Sequence, residues 1–139
     1  MAVKVFLDAN VLVDFALRRE HFDDANAVMN LVTNPGFAAY ISTSVLHITG
    51  YWIAKDKGSK NAKEFLLLLL NDIKIIDIPH EIAVAALLSK FTDIEEALQY
   101  YNAIHYKLDY FISNDKGLKK DSIPILPVYT PKEFINEFA

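Results

Sequence analysis

Two carboxylates that end strands and a third that opens a helix are the residues best placed to do chemistry in this chain. The apolar run Val3-Lys4-Val5-Phe6-Leu7 delivers Asp8 and Asn10 to a turn, and Tyr110-Phe111-Ile112 delivers Ser113, Asn114 and Asp115 to another. Glu96 lies in the first turn of a helix begun by Asp93-Ile94-Glu95-Glu96-Ala97. In an open parallel sheet, ligands bind in the crevice outside the carboxyl ends of the strands. With the two strands as neighbours, Asp8 and Asp115 open into one crevice, and a helix start can aim Glu96 at them. Hard divalent ions such as Mg2+ take oxygen ligands and keep several waters, so a few carboxylates suffice to hold one. Such an ion polarises a phosphoryl oxygen and activates a water for in-line attack. These residues point to metal-assisted phosphodiester hydrolysis.

Each acid also has a structural role open to it. A buried carboxylate needs a metal, a cation or N–H donors, and Asp8 can find the last by capping the helix that follows it. Asp93 is expected to cap its helix rather than bind metal, and Glu95 and Glu96 suit a helix N-terminus, where negative charge is favourable. Asp115, within Ser113-Asn114-Asp115-Lys116-Gly117, fits an ordinary turn. Asp14 is expected on an exposed helix face. His21, His80 and His105 lack a metal-binding spacing. His47, alone on a mostly apolar helix, is expected to be structural. Taken singly these signals are weak; their joint placement carries the inference.

The elements that must position the acids alternate along the chain. After the strand at 3–8 come helices at about 10–19 and 22–32, the second stopped by Asn34-Pro35-Gly36. A short strand at 38–42 precedes helices at about 43–54 and 61–71, the latter so apolar that most of it is expected to be buried. Residues 74–78 alternate as a strand, and helices follow at about 81–90 and 94–107. The strand 110–112 and a last strand at 123–128 complete the sheet; Pro124 and Pro127 put the latter at an edge. Pro131 opens a final short helix at its favoured first position. Strands separated by helices imply a parallel sheet covered on both faces. The expected fold class is α/β, a three-layer α/β/α sandwich, in a single domain over residues 1–139.

Composition narrows the function classes. With 139 residues and 53% hydrophobic content, the chain has ample material for one core. It has no cysteine, which excludes disulfides, Cys-based zinc sites and a Cys nucleophile. The longest apolar runs, Phe65 to Leu70 and Ile82 to Leu88, fall far short of the roughly 20 residues that span a bilayer. No signal-peptide pattern opens the sequence, and a cytoplasmic protein without a membrane segment is expected. The net charge of −4 argues against a constitutively basic nucleic-acid-binding face and suits an acidic site that needs cations before it accepts a phosphate. Tyr51, Trp52, Tyr100, Tyr101 and Tyr106 exceed what a core of this size needs, so some are expected at an interface.

At the acidic positions the chain resembles the PIN-domain family, which includes the VapC-type toxins of bacterial toxin–antitoxin modules. The resemblance rests on Phe6-Leu7-Asp8-Ala9-Asn10-Val11-Leu12, on Asp93-Ile94-Glu95-Glu96-Ala97-Leu98-Gln99 with Ala103, on Ile112-Ser113-Asn114-Asp115 and on Pro131-Lys132-Glu133-Phe134. It covers nearly the whole chain. It implies a Mg2+- or Mn2+-dependent ribonuclease with acids around a small cavity, Asp8, Glu96 and Asp115 being the metal-binding and catalytic positions. Asn10 and Ser113 fall on the family's polar companions, and Lys116, Lys119 and Lys120 are candidates for a rim that meets RNA phosphate. The resemblance also implies a homodimer, and an antitoxin protein that inserts into the acidic groove.

The chain departs from the family pattern at one place. The family usually carries another acid in the helix after the second strand, and Ser42 to Trp52 contains none. The equivalent position is Ile48 or Thr49, and a Thr hydroxyl there would orient a water without adding charge. The sequence looks closer to a branch in which a polar residue commonly replaces this acid. Two functions therefore stand against each other: a metal-dependent endoribonuclease, the toxin of a toxin–antitoxin pair, and a catalytically inactive PIN domain that binds RNA or protein. A receiver or haloacid-type phosphatase would need partner residues that this chain does not offer, since Asn10 stands where the phosphatase has its second Asp.

Overall fold

A computed structural model describes all residues from Met1 to Ala139. Five strands form one sheet in the order β3-β2-β1-β4-β5, where β1 is Val3–Leu7, β2 Phe37–Ile41, β3 Ile73–Ile75, β4 Tyr110–Ile112 and β5 Val128–Tyr129. All four pairings are parallel. Eight helices connect and cover them: α1 Ala9–Leu17, α2 Phe22–Val32, α3 Thr43–Lys57, α4 Ser59–Leu69, α5 His80–Leu87, α6 Ile94–His105, α7 Lys116–Asp121 and α8 Pro131–Phe138. The fold is the expected α/β sandwich. No helix is long and apolar enough to cross a membrane.

The order of strands decides where a site can form. From β1 the chain moves outward through β2 to β3, then returns to β4 on the other side of β1. The direction of winding therefore reverses between β1 and β4, and the helices there leave a crevice at the carboxyl ends of the two strands. Leu7 pairs with Ile112, which sets Asp8 and Ser113 side by side at that edge. Both strands are buried on both faces, as a central parallel strand requires: Phe6, Leu7, Phe111 and Ile112 are fully inaccessible, and the Phe6 and Phe111 rings stack at 4.8 Å.

Three sequence expectations need correction. The last strand is only Val128–Tyr129, because Pro124 and Pro127 confine the preceding residues to a turn closed by an Ile123–Leu126 bridge. The residues after Asp115 form α7, a helix hidden in the sequence by its six-residue length and by Gly117. The apolar run of α4 is not mostly buried: Ala62 and Leu69 are, while Leu67 and Leu68 are each 67% exposed. One stripe of a helix suffices to pack against α3, where Gly50 lets α4 approach until a Cβ would meet Leu66 at 3.0 Å. The run is apolar beyond what that contact uses.

Candidate active site

Asp8 leaves β1 in extended conformation and caps α1, accepting from the Ala9 N–H at 2.8 Å. Its other oxygen accepts from the Ser113 hydroxyl at 2.7 Å and from Asn10 Nδ2 at 3.3 Å. Asn10 Nδ2 also reaches Ser113 Oγ at 3.2 Å, and its Oδ1 accepts from the Asn114 N–H at 3.2 Å. The Ser113 oxygen in turn accepts from the Asp115 N–H at 3.0 Å. One network thus ties the ends of β1 and β4 together and fixes the orientation of Asp8. Burial pushes the Asp8 carboxyl above its usual range, against the lowering effect of Ser113 and Ala9.

Asp115 caps α7 by accepting from the Leu118 N–H at 3.0 Å, and Asp93 caps α6 by accepting from the Glu96 N–H at 2.9 Å. Three helix N-termini therefore converge on the cavity, each with its dipole favouring negative charge. The structural roles weighed for Asp8, Asp93 and Asp115 are real. They also hold the carboxylates at the mouth of the crevice, because each accepts from the first turn of its helix, while the second oxygen of Asp8 is engaged by Ser113 and Asn10.

Asp8, Asp93, Glu95, Glu96 and Asp115 line one cavity of about 310 Å³. Within it Glu96 and Asp115 share a hydrogen bond, which lifts the Glu96 carboxyl to about 8, with desolvation adding to the rise, and holds Asp115 below its usual range. The high affinity for the shared proton belongs on Glu96, since backbone N–H groups of Leu118 and Gly117 stabilise the charge on Asp115. Glu95 is also raised, by desolvation and then by the charges of Asp8 and Asp93. Sequence reasoning gave Glu95 only a helix-dipole role; the crowding of Asp93, Glu95 and Glu96 in one helical turn was the signal that more than one side chain there faces the site.

No three acidic or histidine side chains converge tightly enough to form a complete cage for an ion. The close contact is a pair, Glu96 and Asp115, with Asp8 facing the same space. That donor set suits Mg2+ or Mn2+, which bind through one or two carboxylates and keep much of their water, better than an ion that demands a full shell of protein ligands. A proton shared by two carboxylates keeps two like charges apart, which is the role a divalent cation would take between them.

That proton has a testable consequence. Glu96 ionises near 4.5 in the unfolded chain and near 8 in the fold, so the folded state binds more protons between those limits. Its stabilising contribution is complete below about 4.5 and is lost as pH rises through 8. Asp115 shifts the other way, below its usual range, so it does not cancel this slope. Chemical denaturation in chelator should therefore show stability falling from pH 6 to pH 8, and Mn2+ should reverse the fall. A flat profile, or one that Glu96→Gln leaves unchanged, would remove the shared proton from the account.

The remaining predicted residues are placed as follows. Thr49 does not reach the cavity: it is fully buried, and its hydroxyl donates to the Val45 carbonyl at 2.7 Å. Ile48 lines the cavity instead, so an apolar side chain stands in that part of the wall. None of Lys116, Lys119 and Lys120 lines it, and Lys119 is committed to an ion pair with Glu133 on α8. Asp14 is half-buried rather than on an exposed face, and accepts from Asn114 Nδ2 at 3.3 Å. His47 faces a separate groove between α3 and α4. Arg19 and Trp52, which carried no site role in the sequence, both line the acidic cavity.

The family model for the PIN domain matches residues 4–117. The chain belongs to the PIN-domain family. It is similar in fold to VapBC2 from Rickettsia felis, solved with a promoter DNA fragment, at 19% identity and a TM-score of 0.68, over 91% of this chain and 98% of that one. It is likewise similar to VapC20 of Mycobacterium tuberculosis, described as a Sarcin-Ricin loop cleaving toxin, at 11% identity and a TM-score of 0.69, over 86% of this chain and 95% of the other. At those identities the likeness shows the shared fold. No curated protein matches the sequence.

Proposed function

We propose that this PIN domain is a metal-dependent endoribonuclease and the toxin of a toxin–antitoxin pair, acting in the cytoplasm as a homodimer. The observation that carries the reading is the meeting of Asp8, Glu96 and Asp115 in one cavity at the point where the sheet reverses direction. The fold it shares with an RNA-cleaving toxin and with a toxin–antitoxin complex supports RNA as substrate and an antitoxin as partner. Glu96, Asp115 and Asp8 are the residues that would hold the cation. Bound Mg2+ or Mn2+ supplies a polarised phosphoryl oxygen and a water of lowered pKa. Asn10 and Ser113 keep Asp8 in place, the α7 amides keep Asp115 charged, and Glu96 would have to be deprotonated to serve as a ligand. Glu95 and Asp93 extend the negative wall.

The test is incubation of the purified chain with tRNA and rRNA, with added Mn2+ or Mg2+ and separately with chelator. Discrete cleavage that appears with the metal and disappears with chelator is the expected result; intact RNA in every lane would overturn the assignment. A second reading, an inactive PIN domain that binds RNA or protein, is favoured by one observation, the apolar Ile48 in the cavity wall. It predicts RNA retention without cleavage and no calorimetric signal with Mn2+.

A further inference from the structure

The acidic cavity continues into a second one of about 410 Å³, and the residues common to both are Arg19 and Trp52. Arg19 is the one cation lining the acidic cavity, and it makes neither of the chain's two ion pairs. The left-handed turn at Arg18, φ 49°, ends α1 and sets Arg19 at this junction. Its guanidinium lies 5.3 Å from the centre of the Trp52 ring, and Lys55 Nζ, one turn further along α3, lies 5.4 Å from the same ring. Lys55 lines the second cavity together with Asp56, whose carboxylate is drawn towards Lys57 at 3.8 Å. Trp52 is 39% exposed, and Tyr51 stands edge-on to it at 5.4 Å.

We propose that Trp52, Arg19 and Lys55 form a subsite for one nucleotide flanking the scissile bond of single-stranded RNA. The inference rests on the nuclease reading and states where its substrate lies. The acidic cavity repels phosphates, so a strand needs positive charge close by but outside the carboxylates. Arg19 offers a planar fork that matches a phosphate, and Lys55 a mobile point charge beside it. Trp52 offers a face for a base. A cation resting on an exposed ring is held less strongly than a stacked base. The two cations therefore leave the indole for the phosphates as the base arrives, and two cation–ring contacts give way to one base stack and two phosphate contacts. Base stacking reads no particular sequence, so this subsite supplies grip and register rather than specificity.

Trp52 is the chain's single tryptophan and reports on its own site. The full chain carrying Asp8→Asn, with Mg2+ present, is titrated with a labelled single-stranded oligoribonucleotide, and both intrinsic fluorescence and anisotropy are followed. Quenching should saturate with binding and should vanish when the oligonucleotide is abasic. Trp52→Ala should weaken binding by about 5- to 100-fold, with Trp52→Phe retaining most of the affinity. Arg19→Gln and Lys55→Gln should each flatten the plot of log Kd against log salt by about 0.7. In the otherwise unaltered chain Trp52→Ala should raise KM for cleavage and leave kcat in place.

Equal affinity of Trp52→Ala by anisotropy overturns the subsite, as does absence of quenching in the chain that keeps Trp52, or quenching there by an acidic peptide but not by RNA, which would assign the surface to a protein partner. Failure of the unaltered chain to cleave any RNA removes the parent reading instead, so the two failures are distinguishable.

Discussion

Asp8→Asn is expected to lower RNA cleavage by on the order of 100-fold or more, through loss of a carboxylate at the reacting metal, while leaving the melting temperature unchanged or slightly raised. The two halves of this expectation have separate physical origins. Activity falls because an amide brings no charge to hold a divalent cation opposite Glu96 and Asp115. Stability does not fall, because an amide oxygen can still accept from Ala9 N–H, and the cost of burying a charge disappears. The Ser113 hydroxyl already accepts from Asp115 N–H and Asn10 Nδ2, so its bond to residue 8 is the part lost, while the Asn10–Asn114 contact keeps β1 tied to β4. Cleavage assays on protein matched by circular dichroism would check it. Retained cleavage would sink the metal site; lost cleavage with a fall in melting temperature of many degrees would show that Asp8 is mainly a structural cap.

Phe134→Ala should produce the largest loss of stability, about 3–5 kcal/mol by the usual cost of truncating a buried aromatic, or roughly 10–20 °C in melting temperature for a domain of this size. Phe134 is fully buried and touches three other rings: Phe138 at 4.7 Å, Tyr110 at 5.8 Å and Phe37 at 6.0 Å. It is the anchor of α8, whose start is fixed by Pro131 and by a capping box in which Thr130 and Glu133 exchange hydrogen bonds at 2.9 and 3.1 Å. Removing the ring leaves a cap with little for its helix to cover. No α8 residue lines the acidic cavity, so cleavage per folded molecule should survive at a temperature below the new transition. A loss under about 1 kcal/mol, measured by urea denaturation, would mean that the cluster repacks around the gap.

The sequence disclosed the site best where one residue type had to satisfy both a backbone and a charge requirement. Asp8 is the first polar residue after the buried run Val5-Phe6-Leu7, and Asp93 precedes a regular helix as a cap should. That the strands run parallel followed from the alternation of strands and helices; that β1 lies beside β4 was a condition of the reading, and the sheet order meets it. Legibility failed where a rotation decided the outcome. One residue along a helix is a turn of about 100°, so Ile48 and Thr49 face different surroundings although they are neighbours in the chain. Glu95 and Glu96 differ by the same angle, yet both reach the cavity because long side chains near a helix start can bend towards it. Arg19 and Trp52 were invisible for another reason: they come from different elements, α3 and the turn after α1, and only packing brings them together.

The two outer strands of the sheet have a consequence for how copies of this molecule can associate. With three residues in β3 and two in β5, the latter preceded by Pro127, neither border exposes enough free N–H and C=O groups to add a further strand. Self-association through a continuous sheet is closed to this fold. A lasting partnership, with its own kind or another, has to be built on side chains of the helices, among which Leu67 and Leu68 on α4 and Leu87 and Leu88 at the end of α5 stand uncovered.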